Sequence, residues 1–405
     1  MAGQAQRILT MNRGSATLKA TLYEVGAREE VLVTISVAYG GGAGARLQIA
    51  DGGGAALVDS RVEGRDSNAA LEAMFAWLDE HKYLSGLTAA GHRLVHGGAR
   101  YREPQRITPE FLAELEKLVP LDPDHLPEAI RGIQFVGRKF LQLAQVACFD
   151  TAFHNTLPTV AKMYALPRRF YDEGARRYGF HGLSFEYIVG ELRKIDATLG
   201  TKLAAGRVII AHLGSGASMV ALRDGKSMDT SMGFTPLEGL VMSARSGDVD
   251  PGLLLYLLAE KKMSAQETGA LLNKQSGLLG VSGSTGDMRT LLEKSAQDPH
   301  AAEAIDLFCY RAKKYVGAYA AALGGLDALV FTGGIGERAS AIRERICSGL
   351  EFLGIRLDGG RNAANAPVIS ADDSRVNVRV IQTNEDLMIV QHVIAVLGHA
   401  SPGTD

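Results

Sequence analysis

The chain has 405 residues, 43 Lys and Arg against 45 Asp and Glu, and a net charge of −2. Balanced charge with scattered basic residues argues against a nucleic-acid or membrane-surface protein, which would carry a basic patch. The length predicts two domains, each large enough for its own core. Three cysteines, Cys148, Cys309 and Cys347, lie far apart without metal or CxxC spacing, the pattern of buried thiols in a reduced cytoplasm. The segment MAGQAQR lacks the apolar core of a signal peptide. The longest apolar tract, residues 315–331, contains paired glycines and Asp327, so it reads as helix, turn and strand rather than a membrane span.

In chain order, ILTMNRGSATLKATLYEV (8–25) is an apolar strand, a Gly-Ser turn led by Asn12, and an alternating strand. Further strands follow in EEVLVTISVAY and RLQIA, with GGGAG (40–44) and DGGGAA (51–56) as hairpin tips. Residues 66–82 and 108–118 have helical periodicity and flank a buried strand in 87–98; 146–154 is a core strand ending in a polar cluster. A second hairpin, VIIAHLGSGASMVAL (208–222), turns at glycines led by His212. Helices near 252–261, 265–273 and 300–324, strands at 327–334 and 375–383, and a final helix complete the chain. Either turn alone is ordinarily only a hairpin. Glycine also allows positive φ and close backbone approach, and the exposed N–H groups of such a turn form an anion nest. Two matched copies predict a duplicated mixed α/β domain whose halves close like jaws on a phosphate chain.

Arg93 in GHRLVHGG (91–98) and Arg245 in ARSGDVDPG (244–252) sit in Gly-rich surroundings, and a guanidinium fork is the natural receptor for carboxylate or phosphate. A lone arginine there is commonly structural. Asp150 in FDTAFH follows a strand, where it is either an exposed functional group or a helix N-cap. His181 in RRYGFHGLS is packed core or a donor to developing charge. FTGGIGE (331–337) lets a phosphate or ring lie on backbone at a strand–helix junction, yet matches neither a Walker loop nor a dinucleotide fingerprint. Glu385 in TNED is a water-mediated Mg²⁺ ligand or an acidic helix cap.

These segments together resemble the acetokinase family, the acetate and propionate kinases of the actin-like ATPase superfamily. The resemblance rests on N-x-G-S-x-S/T-L-K (12–19), GHRxVHGG (91–98), FDTAFH (149–154), RRYGFHG (176–182), HLGxG (212–216), TSMGFTPLEGL (230–240), RxGDxDPG (245–252), NKxSGLLGxSG (273–283), FTGGIGE (331–337) and TNE (383–385). It implies two duplicated ribonuclease-H-like domains with an interdomain cleft, residues 1–153 with 386–405 and residues 154–385. The implied reaction is reversible phosphoryl transfer from ATP to a short-chain carboxylate with Mg²⁺, or Mn²⁺ in its place, in a cytoplasmic homodimer that needs neither nucleic acid nor membrane.

Carried over by motif, Asp150, His181 and Arg245 are catalytic, Asn12 and Glu385 place the metal, and Arg93 grips the acyl carboxylate. Because that carboxylate is already ionised, Asp150 is expected to take an orienting or metal-linked role rather than act as base. Val95, Leu121 and Phe180 wall the acyl pocket. ATP is surrounded by Lys19, His212, Leu213, Gly214, Ser215, Gly216, Asp287, Met288, Arg289, Gly334, Ile335, Gly336, Glu337 and Arg338. Ser15 and Thr17 belong with Lys19 to the first turn.

The chain departs from the family pattern at 120–128, where PLHNPxN reads PLDPDHLPE, at Ser215 and Arg338, each in place of Asn, and at HGLSF and ARSG for HGTSH and TRCG. These changes bear on acyl length and on the phosphoryl donor. Two alternatives stand beside acetate: a propionate- or butyrate-preferring enzyme and, more remotely, a non-catalytic nucleotide-driven clamp.

Overall fold

The computed structural model describes residues 6–13, 17–38, 45–62, 67–123 and 125–398. The first Gly-Ser turn with Ser15, the expected tip at 40–44 and Asp124 lie outside the described residues. The chain divides into two compact units, residues 1–152 with 384–405 and residues 153–383.

The first unit carries an eight-stranded sheet: β1 (Gln6–Arg13), β2 (Thr17–Val25), β3 (Glu29–Ala38), β4 (Ala45–Asp51), β5 (Ala56–Val62), β6 (Leu87–Leu94), β7 (Gln105–Arg106) and β8 (Ala144–Phe149). The order is β5-β4-β3-β2-β1-β6-β8-β7. The second unit has β9 (Arg207–Leu213), β10 (Ala217–Arg223), β11 (Lys226–Thr230), β12 (Ala328–Thr332) and β13 (Asn377–Val380) in the order β11-β10-β9-β12-β13.

Five strands of the first sheet, β3-β2-β1-β6-β8, repeat the second in order and direction. In each set an antiparallel meander of three is followed by two parallel strands. Parallel neighbours need crossovers, which helices supply. The duplicated α/β plan is therefore present, and β4 and β5 widen its first copy.

Alternation explains the layers. On β2 and β3, Leu18, Ala20, Leu22, Val33, Ile35 and Val37 are buried in one core with Leu71, Met74 and Phe75 of the helix Ser67–Glu80. In the second unit Val208, Ile210, Val220 and Val330 pack with Phe185, Ile188 and Leu192 of the helix Gly182–Leu199. The helices Gly182–Leu199 and Leu126–Lys139 and the polar strand β11 were not among the expected elements. The helix Glu385–Gly398 follows β13 in sequence but packs on β1 and β6. Gly91 makes that approach possible, since a Cβ there would stand 2.3 Å from Ile389 Cγ2. All three cysteines are buried and form no disulfide. Among the described residues no helix is long and apolar enough to cross a membrane.

His92, on β6 beside Arg93, is buried with Nε2 2.8 Å from Gln145 Oε1. Burial pulls its pKa from 6.5 down to about 4, the contact with Gln145 opposing. The unfolded chain thus binds a proton that the folded one refuses, and stability falls as pH drops from about 6.5 to about 4. Relative to His92→Asn, the wild type should lose about 2–3 kcal/mol of unfolding free energy between pH 7.5 and 4.5. Parallel pH profiles of the two proteins in urea unfolding would contradict this.

Candidate active site

The C-terminal ends of β1, β6 and β8 bring together four of the expected residues of the first unit. Arg93 Nε and Nη2 donate to Asp150 Oδ1 at 3.1 Å and Oδ2 at 2.6 Å, a two-pronged ion pair. Its Nη1 donates to Asn12 Oδ1 at 3.3 Å and lies 3.5 Å from Glu385 Oε2. Burial opposes the guanidinium charge, but Asp150, Glu385 and Asp386 outweigh it and hold the pKa above its ordinary value. Asp150 is 1 % exposed and caps no helix; both its oxygens are committed to Arg93. The fork of Arg93 is therefore not open to a second carboxylate, and only its Nη1 edge remains.

TNED divides its labour residue by residue. Asn384 Oδ1 accepts from the Leu387 amide at the head of the last helix, Glu385 faces Arg93, and Asp386 accepts from Thr10 Oγ1 at 3.1 Å and Thr21 Oγ1 at 2.9 Å. Glu385 lies in the first turn of that helix, as an acidic residue at a helix start does, and its carboxylate also reaches Arg93. Thr10 and Thr21 form a cross-strand pair on β1 and β2, as do Asn12 and Lys19. Lys19 is exposed on that same edge, and Thr17 opens β2. Val95 and Leu121 are half-buried in the first unit, and Phe180 is buried in the second. In the rebuilt 120–128 segment, His125 Nδ1 lies 2.7 Å from Asp122 Oδ1.

In the second unit, His181 holds a left-handed φ of 58° immediately before the helix Gly182–Leu199, a conformation that costs a non-glycine residue energy. Its Nδ1 lies 2.8 Å from Ser218 Oγ, and its ring stacks on His212 with centroids 4.4 Å apart. Gly216 matters for its missing side chain: a Cβ there would sit 3.3 Å from His181 Nε2 and 3.9 Å from Arg245 Nη1. Histidine and arginine thus converge on one bare turn. Arg245 Nη1 also donates to the Pro236 carbonyl at 3.0 Å.

Beside this turn lies a cavity of about 870 Å³, lined by Gly214 and Ser215, by Asp287, Met288 and Arg289, and by Gly334, Ile335 and Arg338. Two of the expected ATP contacts have their carboxylates engaged within the protein. Glu337 Oε1 accepts from the backbone amides of Gly333 at 2.9 Å and Thr383 at 3.2 Å, so this carboxylate fastens the loop. Asp287 caps the helix Met288–Lys294 through Thr290, contacts that lower its pKa. A short-range reading places an acidic residue in a glycine loop at the ligand, and nothing local reveals a partner 46 residues away. Leu213 and Gly336 are buried backbone supports of β9 and of the helix Gly333–Arg338.

Two copies of one sheet plan, with glycine turns beside a nucleotide-sized cavity, define a duplicated α/β protein built to hold a phosphate chain. The chain belongs to the Acetokinase family, whose model matches residues 7–391. It is 48% identical over 400 residues to an acetate kinase of Methylocella silvestris, covering 96% of this chain and 98% of that one. Among solved structures it is similar to a propionate kinase from Francisella tularensis, with a TM-score of 0.89 and 38% identity over 96% of this chain and 98% of that one. The acetate kinase of Porphyromonas gingivalis matches with a TM-score of 0.87 and 39% identity over 97% and 100%.

Proposed function

We propose that the chain is an acetate kinase, moving the γ-phosphoryl group of ATP to acetate and back. The observation that carries this is the convergence of His181 and Arg245 on Gly216 beside the cavity, in a chain whose relatives are named acetate and propionate kinases.

A carboxylate oxygen of acetate attacks the γ-phosphorus and forms the new P–O bond. The bond to the β–γ bridging oxygen breaks, and ADP leaves with the electron pair. No proton moves, so Asp150 needs no basic role; it holds Arg93 by the other two nitrogens, so that Nη1, here on Asn12 Oδ1, is the one that would reach the acyl carboxylate. A loose transition state spreads charge over the equatorial oxygens, where Arg245 and His181 supply donors and positive charge.

Asn12 Oδ1 and Glu385 Oε2 are hard oxygen donors meeting at one guanidinium nitrogen, a donor set that suits Mg²⁺. Mg²⁺ keeps several waters and borrows substrate phosphates, so it needs few oxygens from the protein. Bound there, Mg²⁺ would neutralise phosphate charge.

A hydroxamate assay with acetate, propionate and butyrate tests the reading. Acetate should give the highest kcat/KM, with each added methylene costing about 10–200-fold. A lead for propionate or butyrate would replace acetate as substrate, and no acyl phosphate from any of them would remove the function.

The helix Pro251–Ala259, PGLLLYLLA, buries none of its residues and exposes Leu253, Leu255, Tyr256 and Leu258. An apolar face of this kind supports a homodimer covering it, and a monomer in sedimentation velocity would refute that. Its setting is the reduced cytoplasm that three buried thiols tolerate.

A further inference from the structure

The hydroxyl of Ser184 is buried and stands 2.8 Å from two atoms at once, His212 Nδ1 and Thr383 Oγ1. Neither Ser184 nor Thr383 was among the expected site residues. Thr383 is held in turn, because its backbone N–H donates to Glu337 Oε1, the oxygen that also takes the Gly333 amide. At the other end of the chain of contacts, His212 Nε2 faces the second glycine turn. A Cβ on Gly214 would lie 3.9 Å from His212 Nε2 and 3.9 Å from the Gly334 amide nitrogen.

We propose that Ser184 and Thr383 are positioning residues that hold His212 as its neutral Nε2–H tautomer, with that N–H aimed at the phosphate chain of the nucleotide. A serine hydroxyl has one proton and two lone pairs, so it donates at most one of two short contacts, and accepting from His212 would require the proton on Nδ1. Thr383 Oγ1–H donates to Ser184, Ser184 donates to His212 Nδ1, and Nε2 keeps the ring proton. Run in reverse, the same contacts would put the proton on Nδ1 and turn an Nε2 lone pair toward an anion. The forward direction instead sets a second donor beside the Gly334 N–H. Stacking on His181 adds to the case against a doubly protonated ring, which would place a cation against another imidazole.

A serine donates to a histidine Nδ1 elsewhere in the same unit. His154 Nε2 donates to the Phe180 carbonyl at 3.0 Å, so its Nδ1 is the acceptor for Ser227 Oγ at 2.9 Å.

The aim at phosphate rests on the kinase reading, whereas the tautomer can be measured without it. Nitrogen-15 NMR of the histidine-labelled full chain, with His212 assigned by its loss in His212→Gln, should show Nδ1 unprotonated and Nε2 protonated at pH 7.5. A protonated Nδ1 would overturn the proposal, whatever the enzyme phosphorylates. In kinetics, Ser184→Ala should raise KM for ATP about 10–100-fold, the scale of losing a partner that orients a ligand-binding histidine, with KM for acetate unchanged. Thr383→Val should raise KM for ATP while Thr383→Ser, which keeps the hydroxyl, stays close to wild type. This pair decides the matter even if Ser184→Ala fails to fold, since equal losses in Val and Ser variants would rule out the hydroxyl chain.

Discussion

Replacing Arg93 by Ala should lower acyl phosphate formation by about 10²–10³-fold while the second unit still binds ATP. The loss has two parts that can be separated. One is the Nη1 donor meant for the acyl carboxylate. The other is structural, since Asp150, 1 % exposed, would be left buried without its partner. Breaking a buried pair from one side costs about 3–5 kcal/mol. The double variant Arg93→Ala/Asp150→Asn removes that orphaned carboxylate, so it should regain most of the thermal stability and none of the activity. Melting curves, the hydroxamate assay and calorimetric titration with an ATP analogue measure the three quantities. Lost ATP binding in Arg93→Ala, or activity restored in the double variant, would contradict the role assigned to Arg93.

Arg343→Met should destabilise the chain by at least about 3 kcal/mol and raise KM for ATP without changing KM for acetate. Arg343 is fully buried, and it donates to the carbonyls of Gly336 at 2.9 Å, Glu337 at 3.1 Å and Asn362 at 2.8 Å, and to Asn362 Oδ1 at 2.8 Å and Asn365 Oδ1 at 2.6 Å. No carboxylate is among these partners, and burial lowers its pKa. Amide and carbonyl dipoles therefore carry the compensation for a buried cation. Two of those carbonyls belong to the helix Gly333–Arg338, whose first residues line the cavity. Methionine fills comparable space but leaves five acceptor contacts unmet. Lysine should rescue only in part, because a compact ammonium cannot copy the planar fork. Unchanged melting and unchanged KM for ATP in the Met variant would show that the arginine neither supports nor positions the loop.

The hairpins were legible because alternation and turn glycines are local signals, and β9–β10 follows that pattern closely. Arg93 and Asp150 were legible for a similar reason, as charged residues at strand ends, and Glu385 as an acid at the head of the last helix. The helix Gly182–Leu199 escaped because its N-cap is His181 in a left-handed conformation and its first residue is glycine, where a Ser, Thr or Asp would have signalled a start. β11, KSMDT, has little strand propensity and owes its place to pairing with β10. Arg343 looked like any basic residue on a helix of mixed polarity.

By itself the sequence determined most of the element types, the duplicated plan and the family, because these depend on spacing and residue kind along short stretches. Only the tertiary structure decided which polar groups meet. Arg93 spends its fork on a residue 57 positions away and its last nitrogen on Asn12, 81 positions back. Ser184 finds Thr383 across 199 positions. Hydrogen bonds act over about 3 Å whatever the chain separation, so the partner of a long or buried polar side chain is set by the packing of the sheets and helices that carry it.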